Sequence, residues 1–203
     1  MKWITIFSLL LALFSLSAFS ESEQAISDQT ETALLAGGCY WCIEADFEKL
    51  DGVKEVISGF AGGHTENPTY KQVSAGGTGH IEVVQVIYDP KAINYSQILD
   101  YFWRHIDPTR DDGQFCDNGP SYRPAIFYTE AQKDLAAASK DNIEKTKPFS
   151  DPIKVELIEA STFYTAEKYH QDYYKKNPLR YRYYRHGCGR DKRIEQLWGK
   201  SDH

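Results

Sequence analysis

The sequence has 203 residues, 41% of them hydrophobic and 26% charged, with a formal net charge of −6. That length suits one domain with appendages, large enough to bury a core without staples. The composition excludes collagen-like, low-complexity and polytopic membrane proteins. The acidic balance argues against a nucleic-acid partner, which needs a basic face.

Residues 1–20 pair an early Lys2 with an apolar run from Leu9 to Phe14 and a small-residue end, Ala18-Phe19-Ser20. This is the pattern of a signal peptide cut after Ser20, and the apolar run is short for a membrane anchor. The expectation is export, to a periplasm or the medium, with no membrane attachment after cleavage. Residues 21–30 read as a polar lead-in, residues 31–180 as a single domain, and residues 181–203 as a C-terminal tail. Nothing suggests a coiled coil or a repeat, so a monomer is expected.

Thr32 to Ala36 reads as a strand closed by Gly37-Gly38, and Tyr40 to Leu50 as a helix. Val53 to Phe60 and Ile81 to Tyr88 read as strands, the second β-branched and stopped by Asp89-Pro90. Ser96 is placed to cap a helix whose Ile98, Leu99, Phe102, Trp103 and Ile106 follow the helical period, ended by Asp107-Pro108. Residues 107–122 lack periodicity and read as a loop. Ala125 to Tyr128 is a strand, and Thr129 with Gln132 makes a capping box for a helix to about Lys145. Val155 to Ile158 reads as a strand, Thr165 to Lys175 as a helix, and the end from Asn177 as mostly irregular. Strands and helices alternate, which supports a layered α/β or α+β domain.

The four cysteines are Cys39, Cys42, Cys116 and Cys188. Cys39 follows Gly37-Gly38 between a strand and a helix. At a helix N-terminus unpaired N–H groups favour negative charge, so a lowered thiol pKa and a reactive nucleophile are expected. Cys39 and Cys42 have the spacing of a thioredoxin-type pair, but Tyr40-Trp41 between them is not the usual filling. A zinc site is disfavoured, because Cys116 and Cys188 are isolated and His64 and His80 lack ligand spacing. No phosphate-binding glycine motif is present. A disulfide-stabilised binding module with all four cysteines paired is the non-enzymatic alternative.

Gly38-Cys39-Tyr40-Trp41 with Glu44 resembles the active-site motif of the type A peptide methionine sulfoxide reductases. The same order of motifs continues through Gly59-Phe60-Ala61-Gly62-Gly63, Asn67-Pro68-Thr69-Tyr70 and Gly79-His80-Ile81-Glu82. It goes on through Asp117, Gly119 and Ser121-Tyr122-Arg123, then Phe163-Tyr164, Ala166-Glu167, His170-Gln171 and Asn177-Pro178.

The resemblance implies an α+β, two-layer sandwich with a mixed central β-sheet and ferredoxin-like, plait topology. It implies reduction of the S epimer of methionine sulfoxide, free or in proteins, and thus repair of oxidised proteins. Cys39 matches the nucleophile, Glu82 the acid, Tyr70 and Tyr122 the hydroxyl donors to the sulfoxide oxygen, and Asp117 a positioning or proton-relay residue. Tyr40 and Trp41 match the wall around the substrate methyl group. No cofactor or metal is implied, only an external thiol such as a thioredoxin-like reductant or dithiothreitol. The Cys39 sulfenic acid needs a resolving thiol. Cys188, in Gly187-Cys188-Gly189, is the first candidate, Cys42 and Cys116 the alternatives. Tyr40 stands where the family usually has Phe, and Cys42 where Gly is frequent. On spacing alone, Glu82 in its apolar strand reads as solvent-facing, and His170 as structural.

Overall fold

The computed structural model describes residues 30–200. The proposed signal peptide and nearly all of the polar lead-in lie outside those residues. β1 (Glu31–Ala36), α1 (Tyr40–Phe47), β2 (Val53–Ala61), α2 (Tyr70–Ala75) and β3 (Ile81–Tyr88) come first. α3 (Tyr95–Arg104), a small hairpin of β4 (Gly113–Gln114) and β5 (Asp117–Asn118), and β6 (Ala125–Tyr128) follow. The chain ends with α4 (Lys133–Thr146), β7 (Glu156–Glu159), β8 (Tyr164–Thr165), α5 (Tyr173–Lys176), α6 (Pro178–Gly187) and α7 (Arg190–Trp198).

Six strands form one sheet in the order β7-β6-β1-β3-β2-β8. β6 and β7 are parallel and the other neighbours antiparallel, so the sheet is mixed and the fold α+β. Period-two alternation gives the sheet two apolar faces. Leu35, Val84 and Val86 point to the larger core, with Ile43 and Phe47 of α1 and Ile98, Leu99, Phe102 and Trp103 of α3. Ala36, Ala61, Ile81, Val83 and Phe127 point to a smaller cluster covered by Phe163. Glu82 shares the parity of Val84 and Val86, so it faces α1 and is buried rather than solvated.

Several local expectations need correction. The cap of α3 is Asn94, which forms a capping box with Gln97, and not Ser96. Residues 165–172 are not helical. Thr165 pairs with Gly59 in the sheet, and the Gln171 side chain bonds both backbone groups of Ser58, which holds the segment in a turn. Tyr70–Ala75 is a helix that sequence periodicity did not show. The segment after Asn177 is two helices, not irregular. They bury few apolar groups, Tyr181 and Leu197 among them, so they leave little hydrophobic signature.

Polar contacts hold these helices instead. Arg185 pairs with Asp46 at 2.8 Å and Arg193 with Asp107 at 2.7 Å. Arg190 is buried at the start of α7 and donates to the carbonyls of His105 (2.8 Å) and Gly37 (3.2 Å). Removing it strands those carbonyls, so Arg190→Leu is expected to cost about 3 kcal/mol. The check is the urea midpoint of unfolding, and an unchanged midpoint would refute this role.

Candidate active site

The site is built on the β1–α1 turn. Gly38 has φ of 82°, and a Cβ there would lie 2.5 Å from Gln114 Cβ. A Cβ on Gly37 would lie 2.5 Å from Ile43 Cδ1, so both positions require glycine. The turn delivers Cys39 as the N-cap of α1, with its sulfur inside the protein. The first N–H of α1, on Tyr40, donates to Glu82 Oε2 at 3.1 Å. Glu82 reaches it from β3, opposite Phe60 of β2.

Cys39, Tyr40, Trp41, Tyr70, Glu82, Asp117, Tyr122 and Tyr184 line one cavity of about 80 Å³. The seven non-resolving residues chosen from the sequence thus converge on a single space. Tyr184 joins them from α6, donating to Asp117 Oδ2 at 2.6 Å. It sits among seven tyrosines between residues 163 and 184, and nothing in its spacing separates it from the rest.

The Trp41 ring lies flat on Tyr173, with centroids 3.7 Å apart and planes 6° apart. Its indole N–H donates to His170 Nδ1 at 3.1 Å, and the His170 ring sits 4.4 Å from that of Tyr70. His170 therefore orients two walls of the cavity. Glu167 accepts the N–H of Tyr70 and fixes the start of α2. The Tyr40 hydroxyl is buried and has no partner among the described residues.

The electrostatics follow from burial. Burial pushes Glu82 up to about 8, against the opposing effect of the Tyr40 N–H. Its carboxyl is therefore protonated at neutral pH and able to donate. Burial also raises Tyr70 and Tyr122, which remain neutral donors, and raises Asp117. The Cys39 thiol is likewise pushed up, by burial first and then by neighbouring Cys42 and Glu82, not down as its helix position suggested. The physical reason is burial: the sulfur sits inside the protein, and the first helix N–H is bonded to Glu82.

Cys39 and Cys42 are free, buried and within hydrogen-bond reach of one another. Cys42 does not line the cavity; it packs behind α1 with Ala45, Tyr173 and Tyr181. Cys188 is not an unpaired thiol. It is bonded to Cys116, at the rim of the cavity, across 72 residues of chain. Cys116, Asp117 and Cys188 form a cluster of potential metal-ligating atoms, but the two sulfurs are bonded to each other. Not all four cysteines are paired, which removes the basis of the binding-module alternative.

The comparisons with known proteins agree with this geometry. The family model described as peptide methionine sulfoxide reductase matches residues 31–202. The chain is 46% identical to the peptide methionine sulfoxide reductase MsrA 2 of Caulobacter vibrioides, covering 98% of each chain. It is 51% identical to the peptide methionine sulfoxide reductase MsrA/MsrB of Vibrio cholerae, covering 96% of this chain but 53% of that longer protein. The reduced form of Mxr1 from Saccharomyces cerevisiae superposes with a TM-score of 0.69 at 32% identity, over 74% of this chain and 87% of that one. The chain belongs to the peptide methionine sulfoxide reductase family and, like its MsrA members, reduces methionine sulfoxide to methionine through a thiol–disulfide cycle.

Proposed function

We propose that Cys39 takes the oxygen of a methionine S-sulfoxide while Glu82, Tyr70 and Tyr122 handle the charge on that oxygen. The observation that carries this reading is one small, largely apolar cavity holding a thiol, a carboxyl protonated at neutral pH and two phenol hydroxyls. A sulfoxide oxygen is a poor leaving group until it is hydrogen-bonded and protonated. Glu82 supplies the proton, and the two neutral tyrosines stabilise developing negative charge. Trp41, held by Tyr173 and His170, is the rigid wall for the methyl group.

The high thiol pKa is compatible with this chemistry. A resting thiol becomes a thiolate by giving up its proton as the bound sulfoxide oxygen gains one, so no isolated buried charge is needed. The sulfoxide and the Cys39 thiol become methionine and Cys39 sulfenic acid. Cys42 is the thiol already in reach of Cys39, and its attack gives a Cys39–Cys42 disulfide and water. An external dithiol, such as a thioredoxin-like protein, then returns both thiols and leaves as a disulfide. Cys188, the first candidate from sequence, acts as resolving thiol only after its bond to Cys116 is exchanged. The contact between Cys39 and Cys42 favours Cys42.

Among the described residues no helix is long and apolar enough to cross a membrane. Residues 1–20 support export and cleavage, and the natural substrates are then oxidised methionines of exported proteins. The protein needs no resident cofactor in this scheme and acts as a monomer.

The test is incubation of the protein with dithiothreitol and separated S and R epimers. Loss of the S epimer alone is expected, and loss of the R epimer alone would refute the stereochemical assignment. In the absence of reductant, Cys42→Ser is expected to give one methionine per protein and a sulfenic acid that persists. Disulfide formation at the wild-type rate in that variant would assign resolution elsewhere.

A further inference from the structure

The Cys116–Cys188 bond ties together the two segments that close the active-site cavity. Cys116 precedes Asp117, which lines the cavity. Cys188 follows Tyr184 by one helical turn, and its N–H donates to the Tyr184 carbonyl at 2.9 Å. Tyr184 also lines the cavity, and its hydroxyl donates to Asp117 at 2.6 Å. The disulfide and the Tyr184–Asp117 bond are thus two links between the same two segments, one at the surface and one inside. A third contact lies beneath them. Arg190, two residues after Cys188, stacks 4.5 Å from the ring of Phe115, the residue before Cys116. It bonds Gly37 of the nucleophile turn as well.

We infer that the Cys116–Cys188 disulfide is a positioning element for the sulfoxide site, acting through the seating of Tyr184 against Asp117. This inference rests on the proposed role of Cys39. The geometry separates it from the electron path. Cys116 is exposed and Cys188 half-exposed, whereas Cys39 and Cys42 are buried and already face each other. The first oxygen transfer and its resolution need only the buried pair. Reducing the surface bond takes one equivalent of an external dithiol, which leaves as its own disulfide while Cys116 and Cys188 become thiols. Asp117 and Tyr184 are then joined by one hydrogen bond between loop and helix, and that bond must compete with water entering the cavity. The substrate site therefore tightens or loosens with the redox state of a bond that does not touch substrate.

The experiment is reductant-free single-turnover reduction of S-sulfoxide, with methionine measured after rapid quenching over a range of sulfoxide concentrations. Four proteins are compared: wild type with the surface bond intact, Cys116→Ser/Cys188→Ser, Tyr184→Phe, and the triple variant. The expected result is a rise of about tenfold in half-saturating sulfoxide for the double variant and for Tyr184→Phe, in the range of one hydrogen bond to a charged group. The saturating rate should change less. The triple variant should be no worse than either parent, because both changes remove one constraint.

A disulfide that only staples the fold would lower the urea midpoint and leave half-saturation unchanged, which overturns the proposal. A disulfide that only relays electrons would leave the first turnover unchanged and stop later turnovers, which also overturns it. Additive effects in the triple variant contradict action through Tyr184. If the double variant does not fold, fully reduced wild type replaces it. Failure of wild type to form any methionine would instead refute the Cys39 reading.

Discussion

Cys39→Ser is expected to lower methionine formation by on the order of 10⁴-fold or more, to the background of free thiol in the assay. The size of the effect follows from the geometry. Cys39 supplies the sulfur that faces the cavity, whereas Cys42 is buried behind α1 among Ala45, Tyr173 and Tyr181. A serine hydroxyl in the same place has neither the nucleophilicity nor a way to accept and release oxygen. The fold should survive the change, since the two side chains are nearly isosteric. The measurement is methionine released per protein in a single turnover, with a thermal melt to show that the variant is folded. Residual activity within about tenfold of wild type would move the reaction to another thiol.

Glu82→Gln is expected to reduce kcat/KM by about 10²- to 10⁴-fold, the usual range for general-acid catalysis, with a smaller effect on KM. The amide keeps the shape and can bond the sulfoxide oxygen, but it cannot protonate it. The productive state keeps the Glu82 proton, because Glu82 must donate it to the sulfoxide oxygen. Wild-type activity should therefore fall on the alkaline side, as pH rises through the Glu82 value of about 8. The two buried groups titrate as a pair, so the observed limbs belong to both. The Gln variant should lack the alkaline limb that Glu82 contributes, and an identical limb in both proteins would exclude Glu82 as the acid.

The same burial makes a stability prediction with a definite sign. Glu82 ionises at about 8 when folded, against an ordinary 4.5. Between those values the folded state binds more protons than the unfolded one, so stability falls as pH rises. Wild type should lose stability relative to Glu82→Gln across that window, and parallel curves would contradict the burial argument.

Much of this was legible in the residues. The Gly37-Gly38 turn, the β-branched run of β3 and the periodic apolar face of α3 each have a strong local cause. The site residues became legible through the order of motifs and not through composition. Glu82 alone looked like a solvated strand residue, and only the register of β3 against β2 turns it toward α1.

What was missed has physical reasons. α6 and α7 are held by Arg185, Arg190 and Arg193 against Asp46, Asp107 and backbone carbonyls, so they carry little apolar period. Tyr184 belongs to that hidden part, and its role exists only once α6 is packed over the loop at Asp117. The thiol is raised and not lowered because spacing shows the helix N-terminus but not the burial of the sulfur, which outweighs it. The pairing of Cys188 with Cys116 depends on the same docking of α6, which spacing cannot reveal.

The most direct test of the central claim is to mix Cys42→Ser with one equivalent of S-sulfoxide in the absence of reductant and trap the products with dimedone. The account predicts equimolar methionine and dimedone adduct, with the adduct on Cys39. Methionine without an adduct on Cys39, or an adduct on Cys116 or Cys188, would contradict it.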